Sequence, residues 1–309
     1  MINVLFAAGP ENWADYQAPL RACFAREDLN VALSTSHAAA ETDYIIYAPS
    51  GPLQDFSPYR NCKAVLSLWA GVERIVGNQS LTMPLCRMVD PGLTQGMVEW
   101  VSGHCLRYHL NIDGTLSRQS GAWDRYVPPL ASERRVTVLG LGQLGQACAT
   151  ALARIGFDVT GWARSAKAIA GVRCLHGVDG LSDALRTAEI LVLLLPDTPD
   201  TDTLINAQRL AQLPQGARIL NPGRGTLIDD AALLAALDRD HIAHATLDVF
   251  RQEPLPPDHL YWAHPNVTVT PHIAAETRPE TAARVIAENI RRSESGEPLL
   301  YLVDRALGY

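Results

Sequence analysis

Three polar residues follow β-rich apolar runs in the last third of the chain. "ILNPGRGTLIDDAALLAAL" places Arg224 between two glycines and ahead of a helical pattern, "LDVFRQEPL" places Glu253 before a proline, and "VTVTPHIAAET" places His272 after one. In an open α/β sheet, ligands bind beyond the carboxyl ends of the strands, where all three would lie. An arginine offers a forked pair of charged hydrogen bonds to a carboxylate or a keto oxygen. A histidine, with an ordinary pKa of about 6.5, exchanges protons near neutrality. A glutamate on its far ring nitrogen would favour the imidazolium and raise that pKa. Together the three suit reduction of a 2-keto acid, which needs a hydride at C2 and a proton on its oxygen. A histidine at a strand end is by itself more often a loop residue, so the reading of His272 as a general acid rests on its companions.

A second constellation points to the hydride donor. "VTVLGLGQLGQA" contains Gly140, Gly142, Gln143, Leu144 and Gly145 in a G-x-G-x-x-G frame, directly after a β-rich run and at the start of a helix. The first glycine permits the tight turn, the second lets backbone amides approach a pyrophosphate, and the third lets helix and strand pack closely. The helix N-terminus adds unpaired N–H groups and a partial positive charge. A glycine-rich turn without a ligand is the competing reading. At the end of the next strand, "VTGWARSAK" has no acid to accept from a ribose 2′-hydroxyl but offers Arg164, Ser165 and Lys167. A cationic fork and a hydroxyl suit a 2′-phosphate, so NADP is expected, with NAD weaker. A solvated basic loop is the alternative. Pro196, Pro222 and Asp248, from the runs "ILVLLLP", "ARILNPG" and "HATLDVF", complete the cofactor-binding candidates.

The elements that must position these residues alternate as strand and helix, the pattern of a parallel sheet covered on both faces. In the first third "NVLFAA", "YIIYAP" and "KAVLSLWAG" read as strands and "PENWADYQAPLRACFARE" as a helix. "LTQGMVEWVSGHCLRYHLNIDG", 93–114, reads as one long helix closed by Asp-Gly. After the polar stretch "SGAWDRYVPPLASERR", six further strands begin at "RVTVLGLG", and an amphipathic helix, "RPETAARVIAENIRRSESG", ends the series. Two α/β units of unequal size are expected.

With 309 residues the chain is long enough for two cores, and 47% hydrophobic with 19% charged residues is an ordinary globular composition. A net charge of −7 argues against a nucleic-acid surface, which needs clustered Lys and Arg. The start "MINVLFAAGP" lacks a basic n-region, and the strongest apolar run, "ILVLLL", is too short to span a bilayer. Six scattered cysteines form no C-x-x-C pair and read as reduced thiols, so a cytoplasmic location is expected. His104 and His109 do not share a helix face, and His241 and His244 read as surface or packing residues, so no metal is expected. Asp229 and Asp230 read as capping residues of the helix that follows them.

"LGLGQLGQ", "LNPGRGTLIDDAALLAAL", "LDVFRQEPLP" and "TPHIAAETRP" come in the order, and nearly over the whole length, that resembles the D-isomer-specific 2-hydroxyacid dehydrogenases. "AVLSLWAGVERI", the length and the end "VDRALGY" are most similar to the bacterial glyoxylate/hydroxypyruvate reductases among them. The resemblance implies a Rossmann-type doubly wound parallel sheet plus a smaller flavodoxin-like α/β domain, with the active site in a cleft between them. It places substrate binding in 1–96 and 276–309 and dinucleotide binding in 97–275. It implies catalytic roles for Arg224, Glu253 and His272. It further implies that the backbone amides of Trp69, Ala70, Gly71 and Val72 bind the substrate carboxylate, although from the residues alone an ordinary turn stays open. It also implies that the C-terminal helix returns to the first domain and that a homodimer packs through the helix at 93–112. The family's usual alanine before the arginine is Gly223 here, a change conservative in size that puts little in doubt but leaves room for a looser turn. The expected activity is NADPH-dependent reduction of glyoxylate and hydroxypyruvate. A dehydrogenase for a bulkier 2-keto acid or for phosphoglycerate, and a nucleotide-sensing binding protein, remain as alternatives.

Overall fold

The computed structural model describes residues 1–308; Tyr309, the last residue of "VDRALGY", lies outside the described residues. The chain divides into two units, Met1–Leu93 with the segment beginning at Glu276, and Thr94–Ala275. In the first unit β1 (Ile2–Ala7) leads into α1 (Pro10–Arg26), followed by β2 (Val31–Ser34), β3 (Tyr44–Tyr47), β4 (Ala64–Ser67) and β5 (Leu85–Cys86). The strands pair in parallel in the order β2-β1-β3-β4-β5, the flavodoxin-like order. β3 and β4 are buried along their whole length, as expected of strands covered on both faces.

The division falls in the first turn of α2 (Pro91–His109), three residues before the expected boundary. The helix expected over 93–114 is in fact two. Asn111 takes a left-handed backbone (φ 52), a conformation Asn tolerates, and breaks α2 from α3 (Ile112–Ser117). Asp113-Gly114 therefore lies inside α3 and does not close the long helix.

The second unit continues with β6 (Arg135–Leu139), α4 (Gln143–Ile155), β7 (Asp158–Ala163), β8 (Arg173–His176), α5 (Gly177–Thr187) and β9 (Ile190–Leu193). Then come α6 (Ala207–Leu210), β10 (Ala217–Asn221), α7 (Asp230–Asp238), β11 (Ile242–Leu247) and β12 (Val267–Val269). The seven strands are all parallel in the order β12-β11-β10-β9-β6-β7-β8, so chain direction across the sheet reverses between β6 and β9. That is the doubly wound Rossmann arrangement, whose switch point is where ligands bind. α4 buries Gly145, Cys148, Ala149 and Leu152, an i, i+3, i+4, i+7 stripe, and ends at the left-handed Gly156 (φ 109).

The last helix, α8 (Pro279–Glu294), packs within the first unit. Its Ala282, Ala283, Ile286 and Ile290 join Tyr16, Leu20 and Phe24 of α1 in one core on one face of the five-stranded sheet. Pro279 starts the helix and Arg291 and Arg292 complement its C-terminal dipole. Ile286 is 1% exposed, so Ile286→Ala leaves a cavity that α1 and α8 cannot close without moving. It should cost about 2–5 kcal/mol, read as a lower denaturant midpoint at unchanged slope.

Candidate active site

The residues singled out beyond β10, β11 and β12 meet within the second unit. β10 ends at the buried Asn221, whose side chain organises the next turn: Nδ2 donates to the Arg224 carbonyl at 2.9 Å and Oδ1 accepts the Gly223 amide at 3.2 Å. The turn is tighter than residue size suggests. A Cβ on Gly223 would lie 2.7 Å from the Leu193 carbonyl oxygen, so glycine here fits a close approach and does not loosen the turn as expected. A Cβ on Gly225 would lie 2.0 Å from the Phe250 carbonyl carbon, so the strand end carrying Arg224 presses directly on the one carrying Glu253. The Arg224 guanidinium donates to the Gly223 carbonyl at 2.6 Å.

Glu253 and His272 are in contact. His272 Nδ1 and Glu253 Oε2 lie 2.7 Å apart, and Glu253 Oε1 accepts the Phe250 amide at 2.9 Å. The hydrogen bond to Glu253 holds the His272 pKa above the ordinary value, against burial and the nearby Arg224, which pull it down. For Glu253 burial pushes upward, yet the bonds from His272 and the Phe250 amide prevail and its pKa lies below the ordinary value. The pair is therefore biased towards imidazolium and carboxylate.

His272 sits at φ 56, a left-handed backbone that needs support in a non-glycine residue. Asp248 supplies it. Its carbonyl accepts the His272 amide at 2.8 Å, and its carboxylate takes the Thr270 hydroxyl at 2.6 Å and the Ile273 and Ala274 amides at 2.9 Å each. The sequence marks Asp248 as a cofactor-binding candidate but does not show this holding part, nor those of Asn221 and Thr270. The signal available was a polar side chain at the end of an otherwise apolar strand, which marks either a ligand contact or a buried anchor.

At the switch point, Gly140 has φ 100 and a Cβ there would lie 2.3 Å from the Leu194 carbonyl oxygen. A Cβ on Gly145 would fall 1.7 Å from the Gly140 carbonyl oxygen. Gly142 differs: its φ is −72 and a Cβ would meet nothing within 4 Å. Among the described residues nothing requires glycine at the N-cap of α4, which has neither a side-chain cap nor an acid in its first turn. An anionic group drawn close to those amides would require it. Gln143 is exposed and Leu144 half-buried in that turn, and Arg164, Ser165 and Lys167 are exposed just beyond β7. The Pro196 carbonyl accepts the Thr201 hydroxyl at 2.6 Å, and Pro222 is buried.

In the first unit the loop after β4 is pinned by Ser67, whose hydroxyl accepts the Trp69 amide at 3.1 Å, and by the Met88 amide on the Trp69 carbonyl at 3.0 Å. Val72 is buried in the core of that unit, so only its backbone is on offer. Among the described residues the amides of Ala70, Gly71 and Val72 donate to no protein acceptor.

His104 and His109, read only as not sharing a helix face, lie against aromatic rings, the first 4.4 Å from Trp100 and the second edge-on to Phe157; His244, read as a surface or packing residue, bonds the Thr268 hydroxyl at 2.9 Å. Burial, with Arg107 nearby, pushes the His244 pKa down to about 4. Asp229 caps α7 by accepting the Ala232 amide at 3.0 Å, and Asp230 accepts the Tyr261 hydroxyl at 2.8 Å.

Residues 105–274 match the sequence model of the family described as D-isomer specific 2-hydroxyacid dehydrogenase, NAD binding domain. The chain is 39% identical, over 80% of its length and 82% of the relative's, to glyoxylate/hydroxypyruvate reductase A of Serratia proteamaculans. A crystal structure of a D-isomer specific 2-hydroxyacid dehydrogenase from Xanthobacter autotrophicus Py2, in complex with NADPH and MES, is similar at a TM-score of 0.91 and 42% identity, covering 100% of this chain and 99% of that one. The NADPH-dependent glyoxylate/hydroxypyruvate reductase of Sinorhizobium meliloti, in complex with NADP and sulfate, gives a TM-score of 0.87 at 34% identity, covering 100% and 99%.

Gly142 and Gly145 should separate on substitution. Gly145→Ala forces helix and turn apart and should lower the melting temperature clearly. Gly142→Ala, with open space and an ordinary φ, should change stability by less than about 1 kcal/mol, the scale of a helix-cap substitution. Equal melting temperatures for the two variants would mean that helix–strand packing does not need Gly145.

Proposed function

The chain belongs to the D-isomer-specific 2-hydroxyacid dehydrogenase family, and we propose that it reduces glyoxylate to glycolate and hydroxypyruvate to D-glycerate with NADPH, NADH serving less well. The contact of 2.7 Å between His272 and Glu253 carries this reading. It joins a proton donor to the group that keeps it charged, at strand ends of a dinucleotide-binding sheet. NADPH, when bound, supplies the hydride. The turn of Gly140, Gly142, Gln143, Leu144 and Gly145 would hold its pyrophosphate, with Pro196, Pro222 and Asp248 completing the cofactor site. Arg164, Ser165 and Lys167 would hold the 2′-phosphate.

His272 holds its proton for transfer on Nε2, since Nδ1 faces Glu253. Arg224 binds the substrate and stabilises negative charge on the keto oxygen as it forms. Trp69, Ala70, Gly71 and Val72 offer backbone amides to the substrate carboxylate. A cytoplasmic homodimer completes the proposal. No helix among the described residues is long and apolar enough to cross a membrane. Leu110, Ile112, Leu116, Val127 and Leu130 are exposed at and beyond the end of α2, as is Trp123 at 93%, an apolar set that favours a second copy as partner.

NADPH oxidation by the purified protein across a panel of 2-keto acids tests the activity. Glyoxylate and hydroxypyruvate should be the best substrates; preference for a bulky keto acid would move the protein to another branch of the family, and no turnover would favour nucleotide sensing.

His272→Ala should lose about 10²–10⁴-fold in kcat with NADPH binding intact. Glu253→Gln acts through pH. The reactive form of His272 is the protonated one, Glu253 raises its pKa, and reduction in the variant should therefore fade at lower pH than in wild type. An unmoved alkaline limb would remove Glu253 from the mechanism.

Arg164→Ala should raise the KM for NADPH about 10–150-fold, the worth of one charged hydrogen bond, and leave NADH nearly unaffected. Equal weakening of both cofactors would displace the 2′-phosphate from this loop.

A further inference from the structure

Two residues before Glu253, the Arg251 side chain turns away from that carboxylate and crosses the neighbouring strand ends. Its Nη2 donates to the Ile228 carbonyl at 3.0 Å, the Thr226 carbonyl at 2.9 Å and the Thr203 hydroxyl at 2.9 Å. Nε adds a longer bond to the Ile228 carbonyl at 3.3 Å, and Nη1 reaches Asp202 Oδ1 at 3.1 Å. Thr226 and Ile228 belong to the short turn that follows Arg224, and Asp202 and Thr203 to the segment after β9. One guanidinium thus ties together the rims beyond β9, β10 and β11.

The rims it joins are already interlocked. The Thr203 amide donates to the Thr226 carbonyl at 2.7 Å and the Ile205 amide to the Leu227 carbonyl at 2.8 Å. At Gly225 a Cβ would stand 2.4 Å from the Arg251 amide nitrogen, so the turn carrying Arg224 and the loop carrying Glu253 touch along their backbones. The same loop orients Glu253 through the Phe250 amide, and Glu253 in turn holds His272. Arg251 spends its donors on protein acceptors and has no part in the reaction that a free cation would play.

We propose that Arg251 is a positioning residue for the reaction, its forked guanidinium fixing the spacing between Arg224 and the Glu253–His272 pair. This rests on the reading of those three residues given above. A misplacement of about 1 Å in such a constellation can cost on the order of 100-fold in rate. Lysine, a point charge without the planar fork, cannot bridge the acceptors on the two neighbouring rims in the same way.

Three charged groups act on the His272 imidazole: Glu253 and Asp248 favour its protonated form and Arg224 opposes it. Loosening the loop weakens the Glu253 contribution first, so His272 should titrate at lower pH when Arg251 is replaced. The test compares wild type with Arg251→Lys and Arg251→Met. The His272 imidazole is titrated by nitrogen-15 NMR, assigned by loss of its signal in His272→Ala, beside melting curves and kinetics with NADPH and glyoxylate. Both variants should titrate lower than wild type at His272. The lysine variant, which keeps charge and most of the bulk, should lose about 10- to 100-fold in kcat with the KM for NADPH unchanged.

A folded variant whose His272 titrates as in wild type would reduce Arg251 to a stabilising residue and overturn the proposal. A lysine variant with wild-type titration and kcat would overturn it too, because charge alone would then suffice. If wild type turns over no 2-keto acid, the functional reading falls while the titration still decides the part of Arg251.

Discussion

One hydrogen bond, 2.7 Å between His272 and Glu253, is what the rest of the second unit serves. It joins residues nineteen positions apart in the chain on two different strand ends, and both must be held from outside the pair. His272 is held by a left-handed backbone that Asp248 secures through its carbonyl and carboxylate. Glu253 is held by the Phe250 amide. Burial alone would move both groups towards their neutral forms; the bond reverses that for each, and the charged pair results.

The parallel sheet explains why such a pair can be assembled at all. Every strand of the second unit points the same way, so all of its strand ends arrive on one edge, and the reversal between β6 and β9 opens that edge at the glycine turn. The close approaches at Gly145 and Gly225 draw these rims together, which a side chain at either position would prevent. Buried Asn221 and Asp248 then spend polar groups on holding turns, one bonding the Arg224 turn and the other the His272 turn, and the Asp248 amide links the two strands by donating to the Asn221 carbonyl at 3.0 Å. Stability and the proposed chemistry draw on the same atoms here.

Much of the fold is legible in the sequence. The apolar runs of β6, β9 and β10 are buried on both faces and read as strands without help, and the glycine frame announces its own turn. β2 and β8 were not visible, because they are edge strands of four residues each with mostly half-buried or exposed side chains and no distinct pattern. The break after His109 was also hidden. Asn111 is compatible with a helix, and what stops α2 is its left-handed backbone, which composition does not encode. In the site, the residues that carry charge could be named from sequence because chemistry restricts their types. Those that aim them could not, because Asn221 and Arg251 act through bonds to backbone carbonyls and Thr270 through the Asp248 carboxylate, partners that only the folded chain brings into place.

The central claim is that one ionisation, that of His272 paired with Glu253, governs proton transfer in both directions. Its most direct test is the pH dependence of kcat/KM in wild type for reduction of glyoxylate and for the reverse oxidation of glycolate. Reduction needs the imidazolium and oxidation the neutral ring, so reduction should fall and oxidation rise with pH through one shared midpoint above that of an ordinary histidine. Profiles that move in parallel, or midpoints that differ between the two directions, would contradict the account.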